Sequence, residues 1–255
     1  MYKNYHTHTT RCGHAKGTER EYVENAIKKG FKVLGFSDHT PQPFPDTYVS
    51  GMRMGMDLLD DYVDTIISLR EEYKDQIQIL VGLETEYYPK YFPKLIEEIK
   101  KRPIDYIIMG QHHVKDEIEG FYSGEETDSE ERLKAYVDLV IEGLSTGYFT
   151  YLAHPDLINY VGPDEVFQKH TRRICEYSIE HHIPLEVNML GFERGIHYPS
   201  DRFFSMASEM GCQFVIGCDA HEPGLVMHPE DYPGFTDFLA KNNITYNQDI
   251  DIKFL

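Results

Sequence analysis

A chain of 255 residues, 41% of them hydrophobic, is long enough to bury a full core in one domain without disulfide staples. Its formal charge is −18, from 43 acidic against 25 basic residues, a field that repels polyanions and argues against nucleic acid or anionic membranes as partners. No apolar run reaches bilayer length and no secretory signal pattern is visible. The four cysteines, Cys12, Cys175, Cys212 and Cys218, lack C-x-x-C spacing, so a reduced, cytoplasmic protein is expected.

The first predicted element, YKNYHTH, is a short strand in which side chains two apart share a face, so His6 and His8 project together. It is followed by a helix over TEREYVENAIKKG, a strand in KVLGFSDH, a helix over LLDDYVDTIISLREEYKD and a strand in IQILVGLETEY. Next come a helix over YFPKLIEEIKKR, a strand in DYIIMGQHH, a helix over SEERLKAYVDLVIEGLSTG and a strand in YFTYLAH. The series closes with helix DEVFQKHTRRICEYSIEHH, strand IPLEVNM, helix SDRFFSMASEMG and strand CQFVIGCDAH. This is a βα unit repeated about seven times with no linker or composition break, which predicts one barrel-like α/β domain over 1–255. An open doubly wound sheet gains nothing, because no G-x-G-x-x-G or P-loop follows any strand. Two longer polar stretches, TPQPFPDTYVSGMRMGM and KDEIEGFYSGEETD, are expected on the strand-exit side.

The polar residues that interrupt these apolar strands all sit at their C-terminal ends. They are His6 and His8, Asp38 and His39, Glu84 and Glu86, His112 and His113, His154, Glu186 and Asn188, and Asp219 with His221. In a parallel barrel those ends form one rim, where active sites are built, so seven weak signals become one multinuclear metal site. Imidazole donors with bridging carboxylates suit Zn²⁺, Mn²⁺ or Fe²⁺ better than Mg²⁺ or Ca²⁺. Metals so arranged acidify a shared water and clamp attacking and leaving oxygens, so the expected reaction is hydrolysis.

H-T-H, C-G-H-A, S-D-H, G-L-E, H-H-V, A-H-P-D and C-D-A-H, in that order over nearly the whole chain, resemble the PHP (polymerase and histidinol phosphatase) family, and its histidinol-phosphate phosphatase branch in particular. The resemblance implies a distorted (βα)7 TIM-like barrel, three divalent transition metals, and hydrolysis of a small phosphate monoester by a hydroxide that bridges metals. L-histidinol phosphate, from histidine biosynthesis, is the substrate implied. One metal would take His6, His8, Glu84 and Asp219, a second Glu84 as bridge with His113 and His154, and a third His14, His39 and His221. Glu84, Asp219 and His221 are the catalytic members of this set.

Two stretches depart from the phosphatase pattern. GQHHV stands where G-S-x-H is usual, and since alternation sends His112 and His113 to opposite sides, His113 is taken as the ligand and His112 as a substrate contact. HPDLINYVG lacks the basic residues often found there, so the phosphate clamps are sought in the rim loops, at Arg53 and Arg194. His170, His181, His182, His197 and His228 are expected to be structural. The alternatives are a PHP-type enzyme acting on another small phosphate ester or nucleotide, and a non-catalytic PHP-like binding module. The full set of nine donors argues against the module.

Overall fold

Seven parallel strands pair in the order of the chain, with their side chains alternating between a layer of helices outside and a narrow interior. The computed structural model describes residues 2–254. The strands are β1 (Lys3–Asn4), β2 (Val33–His39), β3 (Gln78–Thr85), β4 (Tyr106–Met109), β7 (Phe149–Leu152), β8 (Leu185–Asn188) and β9 (Phe214–Gly217), with β5 (His113–Val114) and β6 (Phe121–Tyr122) forming a separate antiparallel hairpin on the rim. The segment after β1 closes the sheet on itself: Thr7 bridges Ala220 in parallel, and the His8 amide donates to the Ala220 carbonyl at 2.9 Å. The structure is therefore the expected (βα)7 TIM-like barrel. The helices are α1 (Glu19–Lys28), α2 (Leu59–Glu72), α3 (Phe92–Ile99), α4 (Glu130–Ser145), α5 (Asp164–His181), α6 (Met189–Glu193), α7 (Asp201–Met210) and α8 (Phe235–Lys241). None is long and apolar enough to cross a membrane.

Helix starts follow local chemistry. Thr18 and Glu21 form a reciprocal capping box at α1, and Ser129 accepts from the Arg132 amide at α4. The alternation that decides the site is plainest in β3, where Ile79, Val81 and Leu83 join the outer core while Leu80 faces inward and Glu84 lies two pairs further along the same face. Likewise Tyr106 and Ile108 of β4 point inward and Ile107 and Met109 outward. Below the rim the interior is filled by Tyr5, Leu80, Tyr106, Ile108, Tyr151 and Val215, against which Ile250 and Ile252 of the C-terminal tail pack. Gln248 fixes that tail, its side chain bonding Ile216 and the Lys3 carbonyl. A plugged interior leaves the opposite, strand-exit end as the open face.

Candidate metal centre

Close approach of backbone to carboxylate is what lets the rim hold so much charge. A Cβ on Gly110 would overlap the Glu84 carboxylate, and one on Gly217 would overlap that of Glu186, so each glycine keeps room for a buried acid. Register does the rest, since His39 of β2 lies directly beside Glu84 of β3. His154 and Asp219, at the exits of β7 and β9, have φ of 29° and 48°. Such left-handed backbone is costly for residues other than glycine and collects at functional sites.

Around the Glu84 carboxylate lie His154 Nε2 at 2.7 Å, His39 Nδ1 at 2.9 Å, His112 Nε2 at 3.5 Å, His8 Nε2 at 3.6 Å and His6 Nε2 at 3.7 Å. Asp219 Oδ1 is 3.0 Å from His8 Nε2 and 3.5 Å from His6 Nε2. His6 and His8 bring their Nε2 atoms within 3.1 Å of each other, and so do His14 and His221. His39 Nδ1, Glu84 Oε2 and Asp219 Oδ1 have no hydrogen-bond partner despite these short distances. Atoms that crowd together without hydrogen-bond geometry are aimed at common points, and two nitrogens sharing an ion at ~2.1 Å would stand about 3.4 Å apart in a tetrahedral shell.

The far side of five of the rings is held. His6 Nδ1 meets Glu186 Oε1 at 2.7 Å, His8 Nδ1 meets Asp38 Oδ1 at 3.3 Å, and His112 Nδ1 meets Glu86 Oε1 at 2.8 Å. His14 and His221 face the carbonyls of Cys12 and Asp219 through Nδ1. An Nδ1 so placed can keep its proton while Nε2 takes up an ion, the usual device behind metal-binding histidines. Asn188 ties the outer partners together, its Nδ2 donating to Glu186 at 2.9 Å and Asp219 at 3.0 Å. Thus Glu186 and Asn188, ambiguous in sequence between ring support and barrel wall, are ring support.

Charge makes the same point. Asp38, Glu84, Glu186 and Asp219 are all buried, and no Lys or Arg pairs with them among the described residues. Buried carboxylates need a compensating cation. Burial opposes a proton on His6, but Glu186, Asp219 and Glu84 outweigh it and hold that ring's pKa well above the ordinary value. Burial likewise opposes a charge on His8, yet hydrogen bonds to Asp219 and Asp38 lift it to about 9. By contrast, burial and the neighbouring His8 lower His39 to about 4, and His14 and His221 are lowered for the same two reasons. These three rings are neutral at pH 7 and free to donate lone pairs. The donor set fits divalent transition metals, whose charge would replace the protons on His6 and His8.

Side-chain placement groups His6, His8 and Asp219; His6, Glu84 and His154; and His14, His39 and His221. The placement favours the other of two adjacent histidines and gives one arginine a different task. His112 reaches Glu84, whereas His113 lies in the β5–β6 hairpin with its ring 5.5 Å from that of Tyr122. The even-numbered face of β4 continues through Gly110 to His112, so alternation favours 112; the spacing of the usual motif pointed to 113. Arg53 is not a free phosphate clamp. It is buried, with Nη1 and Nη2 on Glu86 at 2.6 and 2.9 Å, Nε on Glu117 at 2.8 Å and Nη1 also on the Thr40 carbonyl at 3.0 Å. It serves instead to hold Glu86, which holds His112. Arg194, just past α6, is exposed and has no side-chain partner among the described residues, and its charge acts on Tyr122 and Tyr198 at the mouth.

Of the remaining histidines, His170 is buried within α5 and not on its surface. His170 meets Glu130, His182 caps α5, His197 faces the Leu157 carbonyl and His228 the Lys29 carbonyl. All four cysteines are buried and unpaired.

A closed seven-stranded α/β barrel with a histidine and carboxylate cluster at its strand exits defines the class: a metal-site barrel of the kind that catalyses hydrolysis. Residues 4–190 match the model of the PHP domain, and the chain belongs to the PHP domain family. It is 31% identical over 231 residues to a probable histidinol-phosphatase of Deinococcus radiodurans, covering 87% of this chain and 86% of that protein. Over 248 residues it is 27% identical to a probable histidinol-phosphatase of Schizosaccharomyces pombe, covering 86% and 80%. The fold is similar, with a TM-score of 0.71 at 19% identity, to histidinol phosphate phosphatase from Lactococcus lactis solved with zinc, L-histidinol and phosphate. That similarity covers 96% of this chain and 94% of that one.

Proposed function

We propose that this protein is a metal-dependent phosphomonoesterase that hydrolyses L-histidinol phosphate to L-histidinol and inorganic phosphate. The observation that carries the reading is the convergence of ring nitrogens in pairs at 3.1 Å, His6 with His8 and His14 with His221, among buried carboxylates. The substrate follows from the Deinococcus relative, a probable histidinol-phosphatase that aligns across most of both chains.

Three ions match the donors: one on His6, His8, Glu84 and Asp219, one on Glu84, His112 and His154, and one on His14, His39 and His221. Zinc, manganese or iron suits this mixture of imidazole and carboxylate. Such ions supply an acidified water near neutral pH and offset the charge that builds on a transferring phosphoryl group. The protein's own part is orientation. Glu186, Asp38 and Glu86 hold His6, His8 and His112 so that their Nε2 lone pairs meet at the rim, and Glu84 and Asp219 keep the pocket anionic enough to retain cations. Arg194, the unpaired cation at the mouth, binds the phosphate dianion through its planar fork.

Assay of metal-replete protein on a panel of phosphate monoesters tests the substrate. L-histidinol phosphate should be turned over with a higher kcat/KM than p-nitrophenyl phosphate or sugar phosphates. A preference of about tenfold or more for p-nitrophenyl phosphate, some 1.4 kcal/mol, removes the assignment to histidine biosynthesis and leaves only phosphoesterase chemistry.

A further inference from the structure

Tyr198 lies between α6 and α7, outside every motif that pointed to the site. Its ring is pinned from several sides. A Cβ on Gly191 would come within 2.5 Å of it, and the rings of His154 and His197 stand 5.7 and 5.2 Å away, centroid to centroid. The loop that carries it is tied to the His154 segment by the Ser200 amide, which donates to Asp156 at 2.7 Å. Tyr198 is thus a rigid group at the edge of the cluster, only 8% exposed.

Several buried tyrosines of this barrel give their hydroxyls to backbone carbonyls, as Tyr22 does to Lys16, Tyr62 to Gly82 and Tyr106 to Tyr5, and Tyr151 gives its own to Glu186; among those left without a partner in the described residues, Tyr198 is the one whose ring packs on a histidine of the cluster. Tyr198 has no such partner among the described residues, yet its oxygen is not sealed in the wall as that of Tyr88 is. Burial raises its pKa, Asp219, Tyr122 and Glu84 raise it further, and Arg194 alone lowers it. With its ring against that of His154, the hydroxyl is a free donor at the edge of the cluster.

We propose that Tyr198 is a further catalytic residue whose hydroxyl donates a hydrogen bond to a phosphoryl oxygen of the substrate. The proposal rests on reading the site as a phosphomonoesterase. A preorganised donor aimed at a phosphoryl oxygen strengthens its bond as negative charge develops there, and it costs no reorganisation when the reaction occurs.

The test compares metal-loaded wild-type and Tyr198→Phe proteins by elemental analysis, melting temperature, calorimetric binding of inorganic phosphate, and kcat/KM on L-histidinol phosphate and p-nitrophenyl phosphate. Metal content and melting temperature should not change, phosphate should bind about tenfold more weakly, and kcat/KM should fall about 10- to 100-fold on both esters. Phosphate affinity within about twofold of wild type overturns the proposal. So does a loss confined to the alkyl ester, which would put the hydroxyl on the leaving oxygen, and so does loss of metal, which would make Tyr198 a support for the ligands. A wild-type protein that hydrolyses neither ester contradicts the proposed function itself, whatever Tyr198 does.

Discussion

Glu84→Gln should lower phosphomonoesterase activity by at least about 1000-fold, some 4 kcal/mol of barrier, while the barrel still folds. Five imidazoles surround this one carboxylate, with His154 at 2.7 Å and His39 at 2.9 Å on its two oxygens. Both oxygens are therefore engaged, and two ions would share them. Glutamine keeps the shape that Gly110 accommodates but offers one oxygen, no charge and an N–H₂ that would point at lone pairs. Metal content should fall by more than one equivalent, with secondary structure by circular dichroism unchanged. Retained activity with full metal content would move the bridge to another residue.

The second large effect separates two adjacent histidines. His112→Ala should cost about 100- to 1000-fold in kcat/KM and release one ion, whereas His113→Ala should stay within about threefold of wild type. The geometry behind this is a chain of contacts: Arg53 holds Glu86 with two N–H donors, Glu86 holds His112 Nδ1 at 2.8 Å, and His112 Nε2 faces Glu84. His113 is only half-buried and packs on Tyr122 in the rim hairpin. Kinetics and elemental analysis on the two variants decide the matter, and the reverse pattern would restore His113 as the ligand.

The barrel was legible because its seven strands are apolar runs separated by helical patterns, and each run meets a polar residue at the same end. What the residues could not convey was where regular strand stops. β1 spans only Lys3–Asn4, and the exits of β7 and β9 turn through left-handed backbone at His154 and Asp219, so several site residues lie just beyond the pleated segments. α6 has five residues, α8 has seven, and the β5–β6 hairpin has two pairs, all too short for a periodic signal. The roles of Arg53 and Arg194 were indistinguishable in sequence, since both are arginines on rim loops. Only the fold brings Glu86 and Glu117 to one of them and leaves the other unpaired. His112 is a different case. Alternation says only that His112 and His113 face opposite sides, and it takes the inward placement of Tyr106 and Ile108 to put His112 on the Glu84 side.

The measurement that bears most directly on the account is the metal content of the purified protein after expression with zinc, manganese and iron in supply. The nine donors of the cluster, with His112 in place of His113 and Glu84 shared, should hold between two and three equivalents of transition metal per chain. Fewer than one equivalent, in a protein whose circular dichroism shows the folded barrel, would contradict the multinuclear centre and with it the proposed chemistry.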